Sequence, residues 1–172
     1  MYPKAYVDFL IHFHCDRDYF ECHEILEEHW KADIRPERKP YWVGLIQIAV
    51  SLYHHRRGNF TGALKMIKSS ISIIENQKKE VSKLGLHVDN LLKILNQKYD
   101  DIKNKLPYKS IDLPINDHEL FTTCTSLSQS KGMIWGKHSA ITDHELIHKH
   151  ILRDRSEVIA ERERQLQKRK MN

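Results

Sequence analysis

Apolar and polar residues recur along most of this chain at the 3–4 spacing of α-helices, with few interruptions. Pro3 to Phe13 reads as a short opening helix. Asp16 or Asp18 can cap a second helix running to about Ala32, with acids in its first turn where the helix dipole favours them. Residues 33–40 contain two prolines and read as a loop. Tyr41 to Arg57 forms a third helix, apolar on most sides, and Gly58-Asn59 stops it and caps the next. The fourth runs from Phe60 to about Leu84 and ends at Gly85; the fifth spans roughly Val88 to Lys105. After Pro107 the pattern weakens. Pro114, the polar run Thr122 to Ser126, Gly132 and Gly136 read as a linker with one short helix near Asp117 to Phe121. Thr142 or Asp143 then caps a last helix that continues to the C-terminus. On it Leu152, Ile159 and Leu166 recur every seven residues beside Ile151 and Val158, a narrow apolar seam on a charged helix.

These elements predict an all-α fold: a compact bundle of about five helices over residues 1–110, a linker over 111–140, and a basic amphipathic helix over 141–172. With 6 Gly and 5 Pro in 172 residues, a many-turned β fold is disfavoured, and 40% hydrophobic residues exclude a disordered chain. Cys15, Cys22 and Cys124 are odd in number and form no Cys-x-x-Cys pair, which points to a reducing, cytoplasmic setting. No signal peptide is visible at the start. The longest apolar stretch, Tyr41 to Tyr53, spans about 20 Å as a helix, short of a ~30 Å bilayer core, so no membrane partner is expected.

The net charge of +5 is unevenly spread: residues 16–28 carry six acids and one base, whereas Arg162, Arg164, Lys168, Arg169 and Lys170 face only Glu163. A basic tail can attract nucleic acid, but no aromatic is interleaved with these bases, which disfavours that partner. The seam instead predicts docking on the chain's own domain or on the same helix of a second subunit, a homo-oligomer.

Two helices carry polar groups where apolar ones belong. On the second helix Tyr19, Phe20, Leu26 and Trp30 gather on one face, with His23 and Glu27 in its middle, one turn apart. On the third, Gly44, Gln47, Ser51 and His54 form one strip. The economical arrangement turns this strip toward His23 and Glu27, so that His23, Glu27, Gln47 and His54 meet, mostly buried, between the helices. Buried ionisable groups are paired and hydrogen-bonded, or functional. A satisfied network would fix helix register. Two imidazoles and a carboxylate could instead hold a metal, with His23, Glu27 and His54 as candidates and Gln47 behind them. The function read from this is a binding or regulatory module with a polar inter-helix pocket; the alternative is a metal-assisted hydrolase using the same cluster. No metal and no cofactor is assigned by the sequence.

Three blocks of the chain resemble a known family. They are Asp18-Tyr19-Phe20-Glu21-Cys22-His23-Glu24-Ile25-Leu26-Glu27-Glu28-His29-Trp30, then Gly44 to Val50 with Tyr53-His54, then Arg57-Gly58-Asn59-Phe60-Thr61-Gly62-Ala63. In this order and spacing the chain resembles the domain-of-unknown-function family 309. The resemblance implies a compact helical domain and brings no activity, substrate or cofactor. It marks His23, Glu24, Glu27, Trp30, Gln47, His54, Gly58, Asn59 and Gly62. Glu24 is the addition, since the helical wheel places it only at the margin of the buried face. A further motif, His144-Glu145-Leu146-Ile147-His148, matches the zinc-protease pattern. Twelve histidines make a chance match easy, and no third ligand is evident on that helix.

Overall fold

The computed structural model describes residues 1–139, 144–149 and 156–171, with the backbone alone at 144–145 and 156–159. The helices among them are α1 Lys4–His14, α2 Tyr19–Ala32, α3 Pro40–Arg56, α4 Phe60–Asn76, α5 Lys78–Ser82, α6 Val88–Lys103, α7 His118–Ser130, α8 His144–Ile147 and α9 Ser156–Met171. The fold is all-α, with a 3-10 turn at Arg35–Glu37 in the loop before α3 and an isolated bridge between Leu86 and Ile115.

Local signals set the helix ends. Asp18 caps α2, its side chain accepting from Glu21 N at 3.0 Å. Pro40 opens α3 at a position where its missing N–H costs nothing. Gly58 adopts φ of +81°, and Asn59 caps α4 by accepting from Gly62 N at 3.0 Å. The long fourth helix expected to reach Leu84 breaks at Gln77, whose φ of −121° is not helical.

Helix α3 lies at the centre, packed between α2 and α4, which explains why it is apolar on most sides. Its small residues face α4, not α2. A Cβ at Gly44 would stand 3.1 Å from Ile73 and 3.3 Å from Ile74, both on α4. Ser51 donates to Ala63 O at 2.7 Å, and Ser70 donates to Gly44 O at 2.8 Å. Small side chains let two backbones approach, and these hydroxyls satisfy the carbonyls so exposed.

Where a linker with one short helix was expected, α7 spans 13 residues and packs on α1. Its buried stripe is Leu120, Cys124 and Ser128, one turn apart each. Ser128 bonds Cys124 O and lies 3.3 Å from the Cys15 thiol, so a hydroxyl sits in the core fully satisfied. Residues 108–115 are also tied down. Leu113 N donates to His14 Nε2 at 3.0 Å, and His87 N donates to Pro114 O at 2.8 Å. Two buried arginines complete this side. Arg17, at φ of +56°, reaches Ile111 O, Lys137 O and Asp112 at 2.6–2.8 Å. Arg56 donates to Arg17 O and Ser139 Oγ, each at 2.8 Å, with its guanidinium 4.6 Å from the Tyr19 ring centre.

Ile147 is buried, and Lys149 reaches Asp18 at 2.6 Å and Glu21 at 3.6 Å, so the tail returns to the N-terminal turn of α2. From residue 160 to 171 every side chain of α9 is exposed, Leu166 included. Of the expected seam, Ile151 and Leu152 and the side chains of Val158 and Ile159 lie outside the described residues. The side chains of His144 and Glu145 of the zinc-protease pattern do too. No helix among the described residues is long and apolar enough to cross a membrane.

Candidate functional site

Helix α2 is a firm platform: Tyr19, Cys22 and Leu26 are fully buried on its inner side. His23, Glu24 and Glu27 therefore project from the flank at fixed places. Helical spacing puts His23 and Glu27 one turn apart, and His23 Nε2 lies 2.9 Å from Glu27 Oε2. His23 Nδ1 lies 3.4 Å from Glu24 Oε1. Lys31 takes the other Glu27 oxygen, Oε1, at 2.6 Å. These side chains are half-buried, at 28% exposure for His23 and 32% for Glu27, rather than mostly buried as their apolar stripe suggested. The reason is that the face divides: Tyr19 and Leu26 turn into the core with Cys22, whereas His23 and Glu27 lie with Phe20 and Trp30 on its half-buried flank.

Across the groove α3 supplies His54. His23 and His54 line one pocket of about 150 Å³ with Tyr19, Phe20, Val50 and Tyr53. The walls are largely aromatic. Phe20 lies 5.9 Å from the His23 ring and 6.1 Å from Tyr53, measured between ring centres. A cavity of this size accepts a benzene-sized group.

The protonation of His54 follows from its neighbours. Asn59 Nδ2 and Arg57 Nη2 each lie 3.3 Å from His54 Nδ1. The Asn59 amide is oriented by its cap, because Oδ1 must face Gly62 N. Both groups can only donate, so both contacts call for Nδ1 as the acceptor. A Cβ at Gly62 would stand 2.6 Å from Asn59 Nδ2, which ties Gly62 to the same corner. His54, Gly58, Asn59 and Gly62 thus make one hydrogen-bonded turn that sets the His54 ring.

The structure brings His23, Glu24 and Glu27 together and places His54 opposite His23. It does not bring Gln47 to the pocket. Gln47 is half-buried on α3, and its Oε1 has no hydrogen-bond partner among the described residues. Glu24, marginal on the wheel, is a full member of the cluster. One nitrogen of His23 and one oxygen from each of Glu24 and Glu27 lie within 4.8 Å of one another.

A second polar group went unread in the sequence. Lys98, 3% exposed, donates to Lys109 O at 2.9 Å, and burial lowers its pKa. It shares the Tyr108 ring with Arg56, and the Tyr108 and Tyr19 hydroxyls bond each other. These cations bind backbone carbonyls of residues 17, 109, 111 and 137, so their work is to hold the later segments on the bundle. No spacing signal marks them, because each acts alone on a distant carbonyl.

A family described as "Domain of unknown function (DUF309)" matches residues 6–66, a span that contains all five candidate residues. The chain is 50% identical over 170 residues to "Uncharacterized protein YpuF" of Bacillus subtilis (strain 168), covering 99% of this chain and 98% of that protein. No solved structure matches. With this family match and a relative this similar over nearly its whole length, the chain belongs to the DUF309 family.

Proposed function

We propose that the protein is a binding module whose ligand site is the α2/α3 pocket, with His23 and His54 on its walls and Glu24 and Glu27 at its edge. The observation that carries this reading is the pair of imidazoles, delivered by two different helices to one aromatic-walled cavity of about 150 Å³. A register-fixing network would bury and saturate its polar groups. Here His23 and its carboxylates stay half-exposed, where ion pairs contribute only about 0–1 kcal/mol to stability. The bond of Lys149 to Asp18, next to the wall residues Tyr19 and Phe20, supports a regulatory link between the pocket and the tail. Leu166, exposed on α9, leaves part of the expected apolar seam uncovered, which supports a tail that associates with a second subunit.

Fragment screening of isotope-labelled protein by NMR tests the pocket. Benzene-sized fragments should shift the Val50 methyls and the Phe20, His23 and His54 rings. Val50→Phe, which fills the cavity, should abolish those shifts while leaving the remaining spectrum in place. If no fragment moves these resonances, or Val50→Phe leaves the shifts intact, the reading is wrong.

A further inference from the structure

We propose that the cavity where α1, α3 and α7 begin binds an organic ammonium cation, held by aromatic walls and two carboxylates. The cavity shares no lining residue with the α2/α3 pocket, so the two readings stand or fall separately.

The cavity measures about 450 Å³, within the usual range for small-molecule sites. Tyr2, Tyr41 and Trp42 supply its aromatic walls. Tyr6 sets two of them: it is fully buried and donates to Leu84 O at 2.9 Å. Its ring centre lies 6.0 Å from that of Tyr2 and 5.6 Å from that of Trp42, and Tyr41 lies 5.0 Å from Trp42. Helix α7 brings the acids, with Asp117 at its cap and Glu119 in its first turn. Tyr2 Oη donates to Asp117 Oδ2 at 2.6 Å, and Asp117 Oδ1 accepts from Leu120 N at 3.0 Å. Each oxygen keeps a further lone pair for a ligand. Gly85 makes room for this pair, since a Cβ there would stand 2.8 Å from Tyr2 Oη and 3.0 Å from Asp117 Cβ.

Charge decides the ligand class. The hydrogen bond from Tyr2 leads the effects that lower the Asp117 pKa, so this carboxyl stays ionised at neutral pH. Burial leads those that raise the Tyr2 pKa to about 12, so the phenol stays neutral and donates. Lys83 is the one basic side chain of the lining, and Glu80 holds it at 3.0 Å. With Lys83 offset in this way, Asp117 and Glu119 make the cavity negative. An anion is repelled there, and a neutral ligand gains little from the carboxylates. A hydrated metal ion leaves three aromatic walls unused. An ammonium group is attracted both by the carboxylates and by the negative faces of the rings, while Val7 and Leu120 suit its hydrocarbon body.

The test uses the full chain without tags, isotope-labelled and titrated at pH 7. The probes are phenethylamine, phenethyl alcohol as its neutral counterpart and 3-phenylpropionate as its anionic one. Phenethylamine should shift the Trp42 indole, the Tyr2 and Tyr41 rings and the Thr123 methyl, saturating at one molecule per chain. The alcohol should bind at least about tenfold more weakly, and the propionate should leave these signals in place. Glu119→Gln should weaken phenethylamine binding about two- to fivefold. Glu119 is the residue to change, because Asp117 also caps α7. Circular dichroism checks that the variant folds; if it does not, the three probes on the unaltered chain decide. Lysine blocked at its α-amine and carboxyl separates the two sources of such a cation: tighter binding than phenethylamine identifies a protein side chain, and weaker binding a free amine. No shift at these residues with either amine, equal affinity for amine and alcohol, or unchanged affinity in a folded Glu119→Gln overturns the proposal. If fragments shift Val50 and His54 while no amine enters this cavity, this proposal fails and the α2/α3 reading stands.

Discussion

Acid should unfold this protein through His14. The ring is 1% exposed, donates from Nδ1 to Leu10 O at 2.8 Å, and accepts at Nε2 from Leu113 N at 3.0 Å. It stacks on Trp135 with ring centres 4.4 Å apart. Only the neutral imidazole satisfies both bonds, and burial lowers its pKa from 6.5 to about 4. The folded value lies below the unfolded one, so the unfolded chain takes up more protons between the two. Stability is therefore intact above pH 6.5 and lost as pH falls toward 4. A fall of roughly 2.5 pH units at about 1.4 kcal/mol each gives a full loss of about 3.4 kcal/mol, of which about 2.5 kcal/mol is gone by pH 4.5. His55, also lowered by burial, adds to this loss; His12, raised by its hydrogen bond to Asp16, opposes it. Comparison with His14→Leu isolates the His14 share. That variant should be less stable at pH 7 by about 1–3 kcal/mol, because Leu113 N–H is left unpaired. Urea unfolding at pH 7 and pH 4.5 should show the unaltered chain losing about 2.5 kcal/mol more than the variant. Equal losses in both, within about 0.5 kcal/mol, would refute the reasoning.

Three further outcomes follow from the same geometry. Gly62→Ala should destabilise by about 1 kcal/mol in thermal melts, although alanine normally stabilises a helix interior, because its Cβ displaces the Asn59 cap. Burial pulls the Lys149 pKa down, but Asp18 and Glu21 outweigh it and the net value is raised. Its support is present below pH 10.5 and lost as pH rises through the raised value, and Lys149→Ala should cost about 0–1 kcal/mol, an effect that disappears in about 1 M salt. Removing residues 156–172 should convert a sedimenting dimer to a folded monomer; a full-length chain that already sediments as a monomer would remove the support for tail association.

The starts of α2, α3 and α4 were legible because Asp18 caps the first, prolines mark the loop before the second and Gly58-Asn59 separates it from the third; the break at Gln77 was not, since no glycine or proline marks it. The pairing of His23 with Glu27 followed from helical spacing alone. Other features were not legible, for identifiable reasons. The small strip Gly44 and Ser51 announces a close helix contact but not the contacting helix, and α4, not α2, fills it. Gln47 shares that strip in the wheel, yet it stays out of the pocket. Helix α7 buries a leucine, a thiol and a hydroxyl, too little apolar signal to separate it from a polar linker. Arg17 and Arg56 look solvent-exposed by type, and it is carbonyls and side chains far along the chain, Asp112 and Ser139 among them, that hold them in the core.

The central claim, that the α2/α3 pocket is a ligand site with His23 and His54 on its walls, is tested most directly by crystallography of the full chain soaked in benzene-sized fragments. A bound fragment should lie between the His23 and His54 rings, against Phe20 and Val50. Fragments bound elsewhere on the chain with none in this pocket would contradict the account.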